Sequence, residues 1–129
     1  MLIGVNNQYR GRSVVEYKEQ LAYLIDTAIK HAGGNNSRVF VLSIPDWSIT
    51  PFAAGRNTDK GKVAKEIDEY NYTKRLLCEE YAVDYTEITE AYRQNGNEMV
   101  VADKLHRSKE IYHEWAAALV EKMKSRLGN

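Results

Sequence analysis

The amino-acid sequence predicts an α/β chain built on a parallel, right-handed wound sheet. Three features carry that expectation. Two long runs, 14–32 and 60–81, repeat apolar residues at three- and four-residue spacing and read as amphipathic helices. Short apolar runs rich in β-branched residues alternate with them, as buried strands do. A third helical run follows Ser108. Such alternation sets the strands parallel, with the connecting helices packed against the sheet. At 129 residues the chain is long enough for one domain, 1–129, with a sizeable core.

The opening Leu2-Ile3-Gly4-Val5 is a short apolar run ending at Asn6-Asn7, which predicts the C-terminal end of a buried strand. Ser13 with Glu16 three positions later is a capping box, so a helix is expected from Val14. Val14, Tyr17, Leu21, Leu24, Ile25, Ala28 and Ala32 form its buried face, and Gly33-Gly34 its left-handed stop. His31 in the last turn is a favourable charge at a helix C-terminus.

The next strand is Arg38 to Ile44, nearly continuous in apolar residues and ended by Pro45. From Pro45 to about Asp59 the composition is that of a loop, with Pro51, Gly55 and Asn57 breaking any period. The second helix, about Lys60 to Tyr81, turns Val63, Ile67, Tyr70, Leu77 and Cys78 inward, which makes Cys78 a small core residue. Val83 to Ile88 alternates and reads as a third strand. Glu90 to Val101 is expected to be irregular, turning at Gly96. Ser108 is the expected cap of the last helix, whose inner face holds Ile111, Trp115, Ala116, Leu119, Val120, Met123 and Leu127.

In an open parallel sheet, ligands bind beyond the C-terminal ends of the strands. The polar groups predicted there are Asn6 and Asn7, the Pro45 to Phe52 loop, and the turn from Asp103 to His106. An acid three positions before an imidazole can fix its tautomer, as in the charge-and-base half of a Ser-His-Asp triad. An Asn just past a strand can aim its amide at a developing oxyanion. Asp46, Trp47 and Phe52 are candidate substrate contacts; the two aromatics could equally anchor the loop to the core.

These residues resemble a known family. Gly4-Val5-Asn6-Asn7 is similar to the Gly-x-Asn-Asp block of the SGNH (GDSL-type) hydrolases, and Asp103-Lys104-Leu105-His106 to their Asp-x-x-His block. Val39 to Phe52, VFVLSIPDWSITPF, also looks like the middle strand and loop of bacterial members. The resemblance implies a three-layer flavodoxin-like fold and ester hydrolysis through an acyl-enzyme. It makes His106 the general base, Asp103 its orienting partner and Asn6 the oxyanion-hole amide. Asn7, placed with the substrate contacts, stands where the family usually has Asp, and Arg107 where Pro is common.

The family's Gly-Asp-Ser nucleophile block and its second, glycine block precede the Gly-x-Asn block. The expected architecture is therefore that fold truncated at its N-terminus to about three strands with flanking helices. The chain alone is expected to be inactive for want of the serine. Ser13 and Ser108 read as caps, Ser125 lies in the last helix, Ser37 precedes a strand, and Ser43 and Ser48 lack a nucleophile-turn signature. The Leu2–Val5 strand would then present an unpaired edge, a template for self-association or domain exchange.

Basic and acidic residues balance at 18 each, so a small or neutral partner fits better than nucleic acid, and the resemblance implies a small ester with an acyl or acetylated-sugar group. No apolar run reaches membrane-spanning length, and one cysteine excludes a disulfide framework. Two acids and one His at loop ends fall short of a metal ligand set, and no cofactor is expected. The acid cluster that a receiver-like signalling domain needs past its first strand is missing. A non-catalytic binding or scaffold role for the Trp47–Phe52 loop is the alternative to hydrolysis.

Overall fold

The computed structural model describes residues 1–96 and 99–128; Asn97 and Glu98, in the stretch expected to be irregular, lie outside them. Two short strands, β1 (Phe40–Leu42) and β2 (Asp84–Thr86), pair parallel with Phe40 opposite Asp84 and Leu42 opposite Thr86. The helices of the described residues are α1 (Val5–Tyr9), α2 (Val14–His31), α3 (Pro51–Gly55), α4 (Lys60–Glu80), α5 (Thr89–Asn95) and α6 (Lys109–Leu127). This is a mostly helical α/β fold with a two-stranded sheet, in place of the expected three-layer flavodoxin-like sheet of about three strands.

Both faces of β1 are covered, as its unbroken apolar run requires. Val41 packs into a core with Tyr17, Leu21 and Ile25 of α2 and Ile67, Tyr70 and Leu77 of α4. Leu42, one residue on and pointing to the other face, joins Ile88, Tyr92 of α5, and Ile111 and Trp115 of α6.

The long helices follow their sequence signals. Ser13 caps α2, its Oγ accepting from Glu16 N at 3.1 Å; the Glu16 carboxylate turns instead to Gln20. The helix ends in a Schellman motif, with Gly34 N bonding Ile29 O at 2.9 Å and Gly33 N bonding Lys30 O at 3.1 Å. Asp59 caps α4.

The predicted Leu2–Val5 strand does not form. Gly4 has φ 126°, and a Cβ there would lie 2.8–2.9 Å from the ring of Tyr17, so glycine alone permits this corner. The chain turns at Gly4 and Val5 opens α1. Only Met1 reaches the sheet: its amine donates to Phe40 O, and its carbonyl accepts from Leu42 N at 2.9 Å, on the edge of β1 away from β2. Two donors hold the Ile3 carbonyl just before the corner, Tyr17 Oη at 3.1 Å and Lys74 Nζ at 2.8 Å. Lys74 is fully buried in α4 and also reaches Leu42 O at 2.7 Å, so one amine ties the N-terminal segment to β1.

Two segments expected to be irregular contain helices. Within 45–59, Asp46 caps a 3-10 turn at Trp47–Ile49, and Thr50 caps α3 with Pro51 at its first position. Within 90–101, the Glu87 carboxylate accepts from Thr89 N at 2.6 Å and starts α5. The predicted inner face of α6 is correct only for its first turns. Ile111 and Trp115 are buried and Leu119 is half-buried, while Ala116, Val120, Met123 and Leu127 are exposed. Ser108 stands at the cap position, but its hydroxyl makes no capping bond.

Where β1 gives way to the next loop, Asn71 of α4 clamps one residue twice. Its Oδ1 accepts from Ile44 N at 2.7 Å and its Nδ2 donates to Ile44 O at 3.1 Å and Thr89 Oγ1 at 2.9 Å, all buried. Asn71→Ala strands the buried Ile44 amide, while the Ile44 carbonyl keeps the Thr89 hydroxyl at 2.8 Å, and is expected to cost about 2 kcal/mol. Urea unfolding should show a lower midpoint with an unchanged slope.

Candidate functional site

His106 sits on a hairpin-like turn. Val100 and Arg107 form an antiparallel bridge, flanked by Val101 N to His106 O and Ser108 N to Met99 O, both 2.9 Å. At the tip Lys104 takes the left-handed conformation, φ 61°, and its carbonyl accepts from Phe52 N at 3.1 Å, which ties the turn to α3. Asp103 organises the tip. Its Oδ1 accepts the amides of Leu105 (2.9 Å) and His106 (2.8 Å), while Oδ2 meets His106 Nδ1 at 2.5 Å. The imidazole, and then the two amides, hold the Asp103 carboxyl down to about 2. Asp103 is therefore ionised at neutral pH, and its contact assigns the proton of a neutral His106 to Nδ1. That leaves Nε2 as the acceptor, the arrangement a general base needs.

A cleft of about 220 Å³ opens beside this imidazole, lined by Val5, Asn6, Tyr9, Trp47, Phe52, Leu105, His106 and Arg107. Asn6 and His106, a hundred positions apart in sequence, share its wall. Asn6 reaches the cleft because the Gly4 corner starts α1 there, and its side chain makes no hydrogen bond among the described residues.

The aromatic wall is built from the inside out. Gln8 is buried, accepts from Trp47 Nε1 at 2.7 Å and donates to Glu66 Oε2 at 2.7 Å, which fixes the indole. Tyr9 meets Trp47 edge-on at 5.2 Å between centroids, Phe52 meets it at 6.4 Å, and the Arg56 guanidinium lies 4.3 Å over Phe52. Trp47 is nearly buried, so it both lines the cleft and anchors the loop.

The structure thus brings together Asn6, Trp47, Phe52 and His106, with Asp103 behind the imidazole. Asn7 and Asp46 are placed elsewhere. Asn7 donates to Gln20 Oε1 at 2.9 Å in a second depression, which Asn6 also lines, with Arg10, Arg12 and Glu16. Asp46 is 1% exposed and fully engaged, accepting from Ser48 N (2.9 Å), Ser48 Oγ (2.6 Å) and Arg93 Nε (2.9 Å). Its carboxylate fastens the loop to α5 and has no surface for a ligand. Among the described residues no serine lines the cleft. The Ser13 hydroxyl accepts from the backbone of its own turn, that of Ser48 donates to the Asp46 carboxylate, Ser37 bonds Asn35, and Ser43 is buried among Glu87, Ile88 and Thr89.

Gln8, Tyr9, Leu105 and Arg107 were not expected in the site. With 2–5 read as a strand, nothing marked 6–9 as a helical turn, where Asn6 and Tyr9 share a face. Among the described residues no group of three or more His, Cys, Asp or Glu could hold a metal ion, and no helix is long and apolar enough to cross a membrane. Comparisons with protein-family models, with curated proteins and with solved structures each returned no match.

Proposed function

We propose that residues 1–129 carry the base and oxyanion half of a serine ester hydrolase of the SGNH type. The observation that carries this reading is the cleft wall shared by Asn6 and by a His106 whose Nδ1 is held by ionised Asp103. The nucleophilic serine comes from a segment outside these residues. His106 Nε2 removes the seryl proton as Oγ attacks the ester carbonyl, and Asn6 donates to the resulting oxyanion. Collapse breaks the C–O bond, His106 returns the proton to the leaving alcohol, and an acyl-serine remains. Water, deprotonated by the same imidazole, then releases the acid. Asp103 keeps the ring oriented and balances the imidazolium without itself taking a proton.

A cleft of about 220 Å³ is smaller than sites for drug-sized ligands, which favours a short acyl group over a long lipid chain. The test is to supply the chain with an N-terminal segment bearing Gly-Asp-Ser, as a fusion or a separate fragment, and to assay a short activated ester. Turnover should appear only with the segment present. The second reading is a non-catalytic binding domain that uses the Tyr9–Trp47–Phe52 wall. The lack of any serine in the cleft favours it. Ligand binding without turnover in the completed protein would select it.

A further inference from the structure

We propose that Arg107 receives a carboxylate of the ligand in the cleft beside His106. This deepens the hydrolase reading, on which the word substrate rests, by naming the substrate class: a short ester that also bears a free carboxylate.

Arg107 is only 7% exposed, and its Nε and Nη2 are shielded from solvent without a hydrogen-bond partner among the described residues. Among the described residues, the acids of this turn and of the neighbouring loop have other partners. Asp103 is held by His106 and two amides, and Asp46 by Arg93 and Ser48. The guanidinium rests 5.0 Å over the ring of Tyr92, whose hydroxyl also lacks a partner. Folded chains avoid a buried cation with no anion and no acceptor, because its lost hydration is returned by nothing. Arg107 is also part of the cleft wall, next to the imidazole.

The planar fork of a guanidinium matches a carboxylate with two parallel N–H···O bonds, a stronger and more directional contact than stacking on a ring. The Arg107 head lies over the Tyr92 ring with no hydrogen bond at Nε or Nη2 among the described residues, and a turn from that ring would bring it to a carboxylate in the cleft. The wall of Val5, Tyr9, Phe52 and Leu105 leaves the remainder of the ligand an apolar surface.

The test uses butyrate and butyramide, a carboxylate and its neutral counterpart, at constant ionic strength. The readout is tryptophan fluorescence, because Trp47 lines the cleft and Trp115 meets Tyr92 edge-on at 6.0 Å. Butyrate should give a saturable response at about tenfold lower concentration than butyramide, a difference that Arg107→Gln and Arg107→Met both erase. Equal response to the two probes, no saturable response to butyrate, or full butyrate preference in both Arg107 variants would overturn the proposal. The butyramide comparison needs no variant, so it decides even if the variants fail to fold. Butyrate preference without turnover in the completed protein would remove hydrolysis and leave the Arg107 site standing; turnover without butyrate preference would do the reverse.

Discussion

His106→Ala, in a protein completed with the Gly-Asp-Ser segment, is expected to lower ester turnover by roughly 10⁴- to 10⁶-fold, the loss seen when a triad acting as one unit is broken. Nothing else in the cleft wall can replace the base. Tyr9, Asn6 and Arg107 are the other polar residues there, and none is a proton acceptor of suitable strength at neutral pH. Asp103→Asn should cost nearly as much, about 10⁴-fold, while leaving the tip folded. An amide oxygen at Oδ1 can still accept from the Leu105 and His106 amides. The NH₂ now facing Nδ1 would reverse the tautomer and put the ring proton on Nε2, where it blocks attack. Single-turnover kinetics on an activated ester would measure both. A loss below tenfold for His106→Ala would end the hydrolase assignment.

Lys74 makes the second large prediction, the dependence of stability on pH. Burial drives its amine from 10.5 down to about 7. Between those values the unfolded chain binds a proton that the folded chain does not, so stability must rise with pH from about 7 upward. The slope approaches about 1.4 kcal/mol per pH unit for one group. The Met1 amine, lowered from 8.0 by burial, pushes in the same direction below that pH. Cys78 opposes them. Burial raises its thiol from 9.0 to about 11, so above pH 9 the folded state keeps a proton that the unfolded state releases. The gain is thus concentrated between pH 7 and 9 and amounts to roughly 2–3 kcal/mol. Urea midpoints at pH 7, 8 and 9 would read it directly. Lys74→Met should flatten most of the slope, whatever it does to absolute stability by removing the Lys74 bonds to Ile3 O and Leu42 O, of which Ile3 O keeps Tyr17 Oη. A midpoint that is flat or falls with pH over this range would refute the assignment.

The parts of the fold legible in the sequence are those set by local rules. The helices at Val14–His31 and Lys60–Glu80 show their period and their caps in consecutive residues, and β1 shows its double burial as an unbroken apolar run. The N-terminal strand was misread because an apolar run carries no sign of the positive φ at Gly4, which exists to clear Tyr17 thirteen positions on. The helices at Pro51–Gly55 and Thr89–Asn95 are too short for a period to emerge, and the second is started by a Glu87 side chain that resembles any surface acid.

For the site, strand-end logic put Asn6 and His106 on one rim, and they share a cleft, although α1 rather than a strand delivers the Asn. Asp46 looked free because Arg93, its partner, is 47 positions away. Arg107 gave no signal at all: an arginine beside a surface-turn histidine is ordinarily solvated, and only the position of Tyr92 shows that it is not.

The C-terminal helix is held in two different ways along its length. Ile111 and Trp115 dock its start by apolar burial, whereas near its end Lys122 Nζ meets Asp84 Oδ1 at 3.0 Å and Tyr85 O at 2.8 Å, and Arg126 Nε meets Asp84 Oδ2 at 3.3 Å. Ionic strength screens the second attachment and leaves the first untouched. The helix should therefore peel from its far end, and raised salt should bring trypsin cleavage first to Lys122, Lys124 and Arg126 while the turns around Trp115 stay protected.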